Sequence, residues 1–272
     1  MRALRAHWPE YLIEGALLGL FMVSACLFTV LLEHPASPAR AALPSAWLRR
    51  ALMGTAMGLT AIAIIYSGWG KRSGAHINPS TTLTFYRLGK IGGPDAVFYA
   101  AAQFVGAVAG CLLVGLAIPG PASHPAVGFA ATMPSEGNPV ATAFAAEVLI
   151  TFVLMTVVLA VANDPRTNRH TGLAAGICVA LFITFEAPIS GMSMNPARSF
   201  GSAVSSGRFE NLWIYFVAPP LGMLAAAEAR LRSRGIHSIL CAKLHHDNGA
   251  RCIFRCAYPV CSADRSDERR AS

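Results

Sequence analysis

The chain has 272 residues, 54% of them apolar and 13% charged, with a formal net charge of +8. A soluble domain carries about 25% charged residues, so the composition excludes an ordinary soluble protein and points to a membrane. The basic residues are scattered between apolar runs instead of forming one patch, which argues against a nucleic-acid partner.

A spanning helix needs roughly 20 mostly apolar residues. Six runs qualify: about 11–32, 48–69, 95–118, 140–162, 171–189 and 210–230. The first is too long for a cleavable leader and contains Glu14. Residues 33–47 and 119–139, with their prolines, read as loops on one side of the membrane. On the other side stand Arg2 and Arg5, then Lys71, Arg72, Arg87 and Lys90, then Arg166 and Arg169, and nine basic residues from Arg230 onward. This bias places both termini in the cytoplasm, against a dissenting trio, Arg40, Arg49 and Arg50, in the first loop.

The chain looks duplicated. Glu14 opens span one and Glu147 opens span four. Gly54/Gly58 in span two and Gly172/Gly176 in span five share the Gly-x-x-x-Gly spacing that lets helices approach closely, and Gly106/Gly110 repeat it in span three. Three spans per half is an odd number, so the halves are inverted, with their working site at the interface near the midplane.

Two segments almost repeat each other after spans two and five. One reads Ser73-Gly-Ala-His-Ile-Asn78-Pro79-Ser80, the other Ser190-Gly-Met-Ser-Met-Asn195-Pro196-Ala197, followed by Arg198. Proline suits the first turn of a helix and asparagine before it caps that helix. A half-helix starting inside a bilayer aims its free N–H groups and positive dipole end at whatever lies ahead. Two of them meeting at midplane line a pore, where irregular backbone is tolerated. Arg198, a charge at membrane depth, is a functional residue by default.

On these motifs the chain resembles the aquaporin, or major intrinsic protein, family over about residues 8–231, most closely in Ser193–Val204. The resemblance implies an all-α membrane fold of six transmembrane helices plus two half-helices, an inverted repeat, assembled as a homotetramer in the cell membrane. It implies passive conduction of water or small neutral solutes through a pore in each protomer, with no cofactor and no enzymatic step. Asn78 and Asn195 would donate to the passing solute. By alignment the selectivity filter is Met57, Ile183, Met192 and Arg198; Gly58 replaces Met57 unless one extra residue is allowed within 68–72. Ser80 stands where the family usually has alanine and would add a hydroxyl near the pore centre. A filter histidine and aromatic, usual in strict water channels, are absent, whereas Ser199, Ala203, Tyr215 and Phe216 are of the water-channel type. Glycerol, ammonia, hydrogen peroxide and neutral metalloid hydroxides stand as alternative solutes, and a proton-coupled transporter as a rival class. Glu14 and Glu147 would support the carbonyl-bearing loops. His76 is read as pore-lining, with a pH-responsive gate as the alternative.

Residues 1–231 form the channel domain in this reading, in halves of about 8–118 and 138–231. Residues 232–272 form a cytoplasmic tail in which Cys241, His245, His246, Cys252 and Cys256 supply zinc-type ligands. The Cys-x3-Cys spacing is not that of common zinc modules, so a flexible extension stands beside the metal reading. Cys261 adds a fourth tail thiol.

Overall fold

The computed structural model describes residues 2–246 and 249–258. These residues form α1 (Arg2–Glu33), α2 (Ala46–Tyr66), α3 (Pro79–Arg87), α4 (Gly93–Ala117), α5 (Val140–Ala162), α6 (Thr171–Phe185), α7 (Pro196–Ser206) and α8 (Trp213–Arg234), joined by short helical turns and loops. Cys261 lies outside the described residues.

Four of these helices, α1, α2, α4 and α5, are long and apolar enough to cross a membrane by length and composition alone. The six spans expected from sequence include two that fall short of that mark. α6 has 15 residues, because the chain leaves the helix before Pro188 and turns through Ala187–Ser190. α8 has 22 residues, but its end carries Glu228, Arg230, Arg232 and Arg234. It also runs past residue 231, so the boundary between channel and tail moves to Gly235.

The packing repeats between halves. α1 packs on α4 and α5 on α8, α2 meets α6 across the halves, and each half-helix lies against the last span of the other half, α3 on α8 and α7 on α4. Small residues make the close approaches possible. A Cβ on Gly106 would overlap the Gly15 carbonyl of α1, and one on Gly58 would sit 2.6 Å from the Gly176 carbonyl of α6. Without water to drive association inside a bilayer, such backbone contact supplies the attraction.

All four tryptophans, Trp8, Trp47, Trp69 and Trp213, are about half exposed. Trp8 and Trp69 lie toward the end of the bundle that carries the termini, Trp47 and Trp213 begin helices at the other end. Paired tryptophans at both ends are the signature of the two membrane–water interfaces. Between them, Leu20, Leu59, Val105, Leu113 and Leu149 present apolar side chains outward.

Candidate pore

Each half-helix starts as its sequence dictates. Asn78 caps α3, its Oδ1 accepting from Ser80 N at 2.8 Å. Asn195 caps α7, accepting from Ala197 N at 3.1 Å and Arg198 N at 3.2 Å. Pro79 and Pro196 occupy the first helical position, where no N–H is needed.

The loops before them are held by the two buried glutamates. Glu14 accepts from Ser73 Oγ (2.8 Å), His76 N (3.0 Å), Ile77 N (2.6 Å) and Gln103 Nε2 (2.8 Å). Glu147 accepts from Ser190 Oγ (2.8 Å), Ser193 N (2.6 Å) and Met194 N (2.8 Å). In a trans peptide the carbonyl points opposite the N–H. With the amides of His76, Ile77, Ser193 and Met194 on the glutamates, the carbonyls of Ala75, His76, Met192 and Ser193 turn the other way, toward the bundle axis. The turn requires left-handed backbone at Ala75 (φ 54°), Ile77 (φ 40°), Met192 (φ 50°) and Met194 (φ 55°). Non-glycine residues there cost of order 1–3 kcal/mol each and persist only where the surroundings hold them. The loop starts are tied down as well: Tyr99 Oη donates to Ser73 O at 2.7 Å and Tyr215 Oη donates to Ser190 O.

The two asparagines are cross-linked. Asn78 Nδ2 donates to Met194 O and Asn195 Nδ2 to Ile77 O, both at 2.7 Å. Each amide nitrogen carries two hydrogens, so each keeps one beyond the cross-link.

Two cavities meet at this point. The one on the side away from the termini, about 300 Å³, is lined by Met57, Ile183, Met192 and Arg198 among others. The one on the termini side, about 100 Å³, is lined by His76, Asn78, Asn195, Arg198 and Leu244 among others. Arg198 borders both, and its buried Nη1 has no hydrogen-bond partner among the described residues. Gly58 is a helix contact to α6 and Met57 faces the cavity, which distinguishes the two alignments of span two.

A family model described as Major intrinsic protein matches residues 5–229. The chain belongs to the major intrinsic protein family. It is 41% identical over 181 residues to the probable aquaporin AqpM of Archaeoglobus fulgidus, covering 64% of this chain and 73% of that protein. It is 39% identical over 194 residues to aquaporin NIP3-1 of Oryza sativa subsp. japonica, covering 71% of this chain but 57% of that one. The chain thus spans little more than half the length of its plant relatives. The solved aquaglyceroporin of Plasmodium falciparum shares the fold, with TM-score 0.65 at 18% identity over 84% of this chain and 96% of that one.

Two sequence expectations about this major intrinsic protein need correction. Ser80 does not put a hydroxyl into the pore: it is fully buried, lines neither cavity, and its Oγ has no partner among the described residues. As second residue of α3 its side chain points back into the bundle, as Ala197 does in α7. His76 is not an open lining residue. Its Nε2 lies 2.9 Å from Ala242 O of the tail and its Nδ1 3.1 Å from Thr82 Oγ1, and its ring is stacked between Phe85 and Phe254.

The tail is packed into the bundle as far as it is described. Ile239, Cys241, Ala242, Leu244, Phe254 and Tyr258 are buried in one core with residues of the spans. Asn163 Oδ1 accepts from Leu240 N at 2.7 Å, Gly74 O accepts from Leu244 N at 3.1 Å, and Tyr258 Oη donates to Ala162 O at 2.6 Å. Of the five tail ligands named from sequence, Cys241, His246, Cys252 and Cys256 converge. His245 stands outside that group, its ring edge-on to Tyr66. Burial, reinforced by the neighbouring thiols, pushes the Cys241 thiol well up from its ordinary range.

Gln103, Asn163, Leu244 and Phe254 were missed by sequence reasoning. Each acts through a partner distant in the chain, and none stands in a motif.

Proposed function

We propose that the chain is a passive, bidirectional channel that conducts water and other small neutral solutes between its two halves. The observation that carries this reading is the meeting of two half-helix N-termini with Asn78 and Asn195 cross-linked between two cavities. The remaining amide hydrogen of each asparagine donates to a solute oxygen, and loop carbonyls accept its hydrogens. The paired positive helix ends and the Arg198 guanidinium oppose cations and protons. No bond is broken, and no cofactor is called for.

Met57, Ile183 and Met192 make three sides of the filter apolar and flexible, which favours solutes larger than water as a second class. The basic residues on the termini side and the tryptophan pairs support a cell-membrane protein with both termini cytoplasmic. The homotetramer follows from the family alone. Stopped-flow light scattering on proteoliposomes tests the function. Water permeability well above that of empty vesicles is expected, without proton flux. Vesicles no more permeable than the empty lipid, from correctly folded protein, would overturn the reading.

A further inference from the structure

We propose that Cys241, His246, Cys252 and Cys256 form a tetrahedral site for a borderline-soft divalent cation of the Zn²⁺ class, and that the loaded site locks the tail as a plug in the termini-side mouth. The plug rests on the channel reading; the site does not.

The geometry suits the ion. The four ligand atoms lie within 4.8 Å of one another. Cys241 Sγ and Cys252 Sγ are 3.6 Å apart, and Cys256 Sγ lies 3.0 Å from His246 Nε2. A Zn–S distance of about 2.3 Å in a tetrahedron sets sulfurs roughly 3.8 Å apart, so the thiol pair needs almost no movement and the Cys–His pair a small opening. The same thiol pair is far beyond the roughly 2.05 Å of a disulfide. Three thiols and one imidazole are a ligand set that structural zinc sites use. If the termini face the cytosol, the thiols stay reduced.

The segment also has a reason to need a metal. From Ile239 to Tyr258 the described residues form no helix or strand. Binding energy at a structural metal site is folding energy for such a segment.

Its placement gives the site a consequence. Beside Cys241, Ala242 O meets His76 Nε2. Three residues on, Leu244 pairs with Gly74 and lines the cavity that holds Asn78 and Asn195. From the other arm Phe254, between Cys252 and Cys256, stacks on His76 at 5.3 Å and packs against Gly74, where a Cβ would meet its ring at 2.7 Å. Both arms of the clasp press on the loop that presents Asn78, so the ion fixes residues that stand in the solute path.

The test uses the full-length chain, purified under reducing conditions and loaded with Zn²⁺. Elemental analysis should find one Zn²⁺ per chain and almost none in the Cys252→Ser/Cys256→Ser variant; Co²⁺ should give thiolate charge-transfer bands in the former only. Absence of bound metal in the reduced wild type overturns the site. In proteoliposomes, a chelator should raise water permeability several-fold, with reversal on adding Zn²⁺. The chain ending at Gly235 should conduct at the raised level whether or not metal is present. Bound metal with permeability unchanged by chelation, beside a fast truncated chain, overturns the lock. A folded truncated chain that does not conduct overturns the channel reading itself, while the metal count still decides the site.

Discussion

Asn78 and Asn195 each bond the loop that carries the other, through Met194 O and Ile77 O at equal distances of 2.7 Å. The two half-helices therefore do not merely abut. Each asparagine caps its own helix with Oδ1 and staples the opposite loop with Nδ2, so the position of one pore amide depends on the other half of the chain. Each half supplies one donor and one acceptor to the staple.

Asn195→Ala tests this reciprocity. It removes the cap on Ala197 and Arg198 and the bond to Ile77 O. Loss of the cap alone costs about 1 kcal/mol. We expect a lower melting temperature in detergent and a large fall in water permeability, because Ile77 and hence Asn78 lose their register. Permeability equal to wild type would show that the staple is dispensable.

The glutamates make a sharper case. At Glu14→Gln the volume is kept, but one acceptor oxygen becomes an NH2 facing the donors that Glu14 now satisfies, whichever way the amide turns. Leaving buried donors unpaired costs roughly 1–3 kcal/mol each. Reduced yield and thermal stability are expected from both Glu14→Gln and Glu147→Gln, measured by fluorescence-detected size exclusion on heating. A proton-relay role would instead leave stability intact and abolish a proton-dependent flux.

Gly106→Val probes the closest helix approach. Even the first added carbon overlaps the Gly15 carbonyl, and backbone cannot retreat as a side-chain tip can. Separation of α1 from α4 should follow, with loss of folded protein from the membrane fraction. Gly120→Val, where an added Cβ meets nothing within 4 Å, is the matched control and should express normally.

What could be read from the sequence follows from how local each signal is. The half-helix starts are legible because cap and proline are adjacent residues with fixed mechanical preferences. The duplication is legible because Glu14 and Glu147, or Ser73 and Ser190, recur at matched places. The orientation of Ser80 is not legible, since facing the pore or the bundle depends on how α3 docks on α8. The choice between Met57 and Gly58 turns on one residue of loop length, which only the packing of Gly58 on Gly176 resolves. The tail's ligands are visible as residue types. That four converge, and that Leu244 reaches the cavity, depends on contacts with Gly74 and Asn163, far back along the chain.

The filter gives the last expectation. Met57, Ile183 and Met192 offer no hydrogen bond to a solute from their side chains, so Arg198 is the one charged side chain among the four filter positions that line the outer cavity. Arg198→Val should remove both the guanidinium donor and the local positive potential. Glycerol or urea permeability should then rise relative to water, and a proton leak should appear in vesicles carrying a pH-sensitive dye. Ile183→His should act in the opposite sense. It places a second polar donor opposite Arg198 and fills more of the opening, so water flux should persist while glycerol flux falls. The paired measurement separates size from charge. A rise in glycerol flux in Ile183→His would mean that residue 183 does not border the constriction. Unchanged selectivity in folded Arg198→Val would remove Arg198 from the filter.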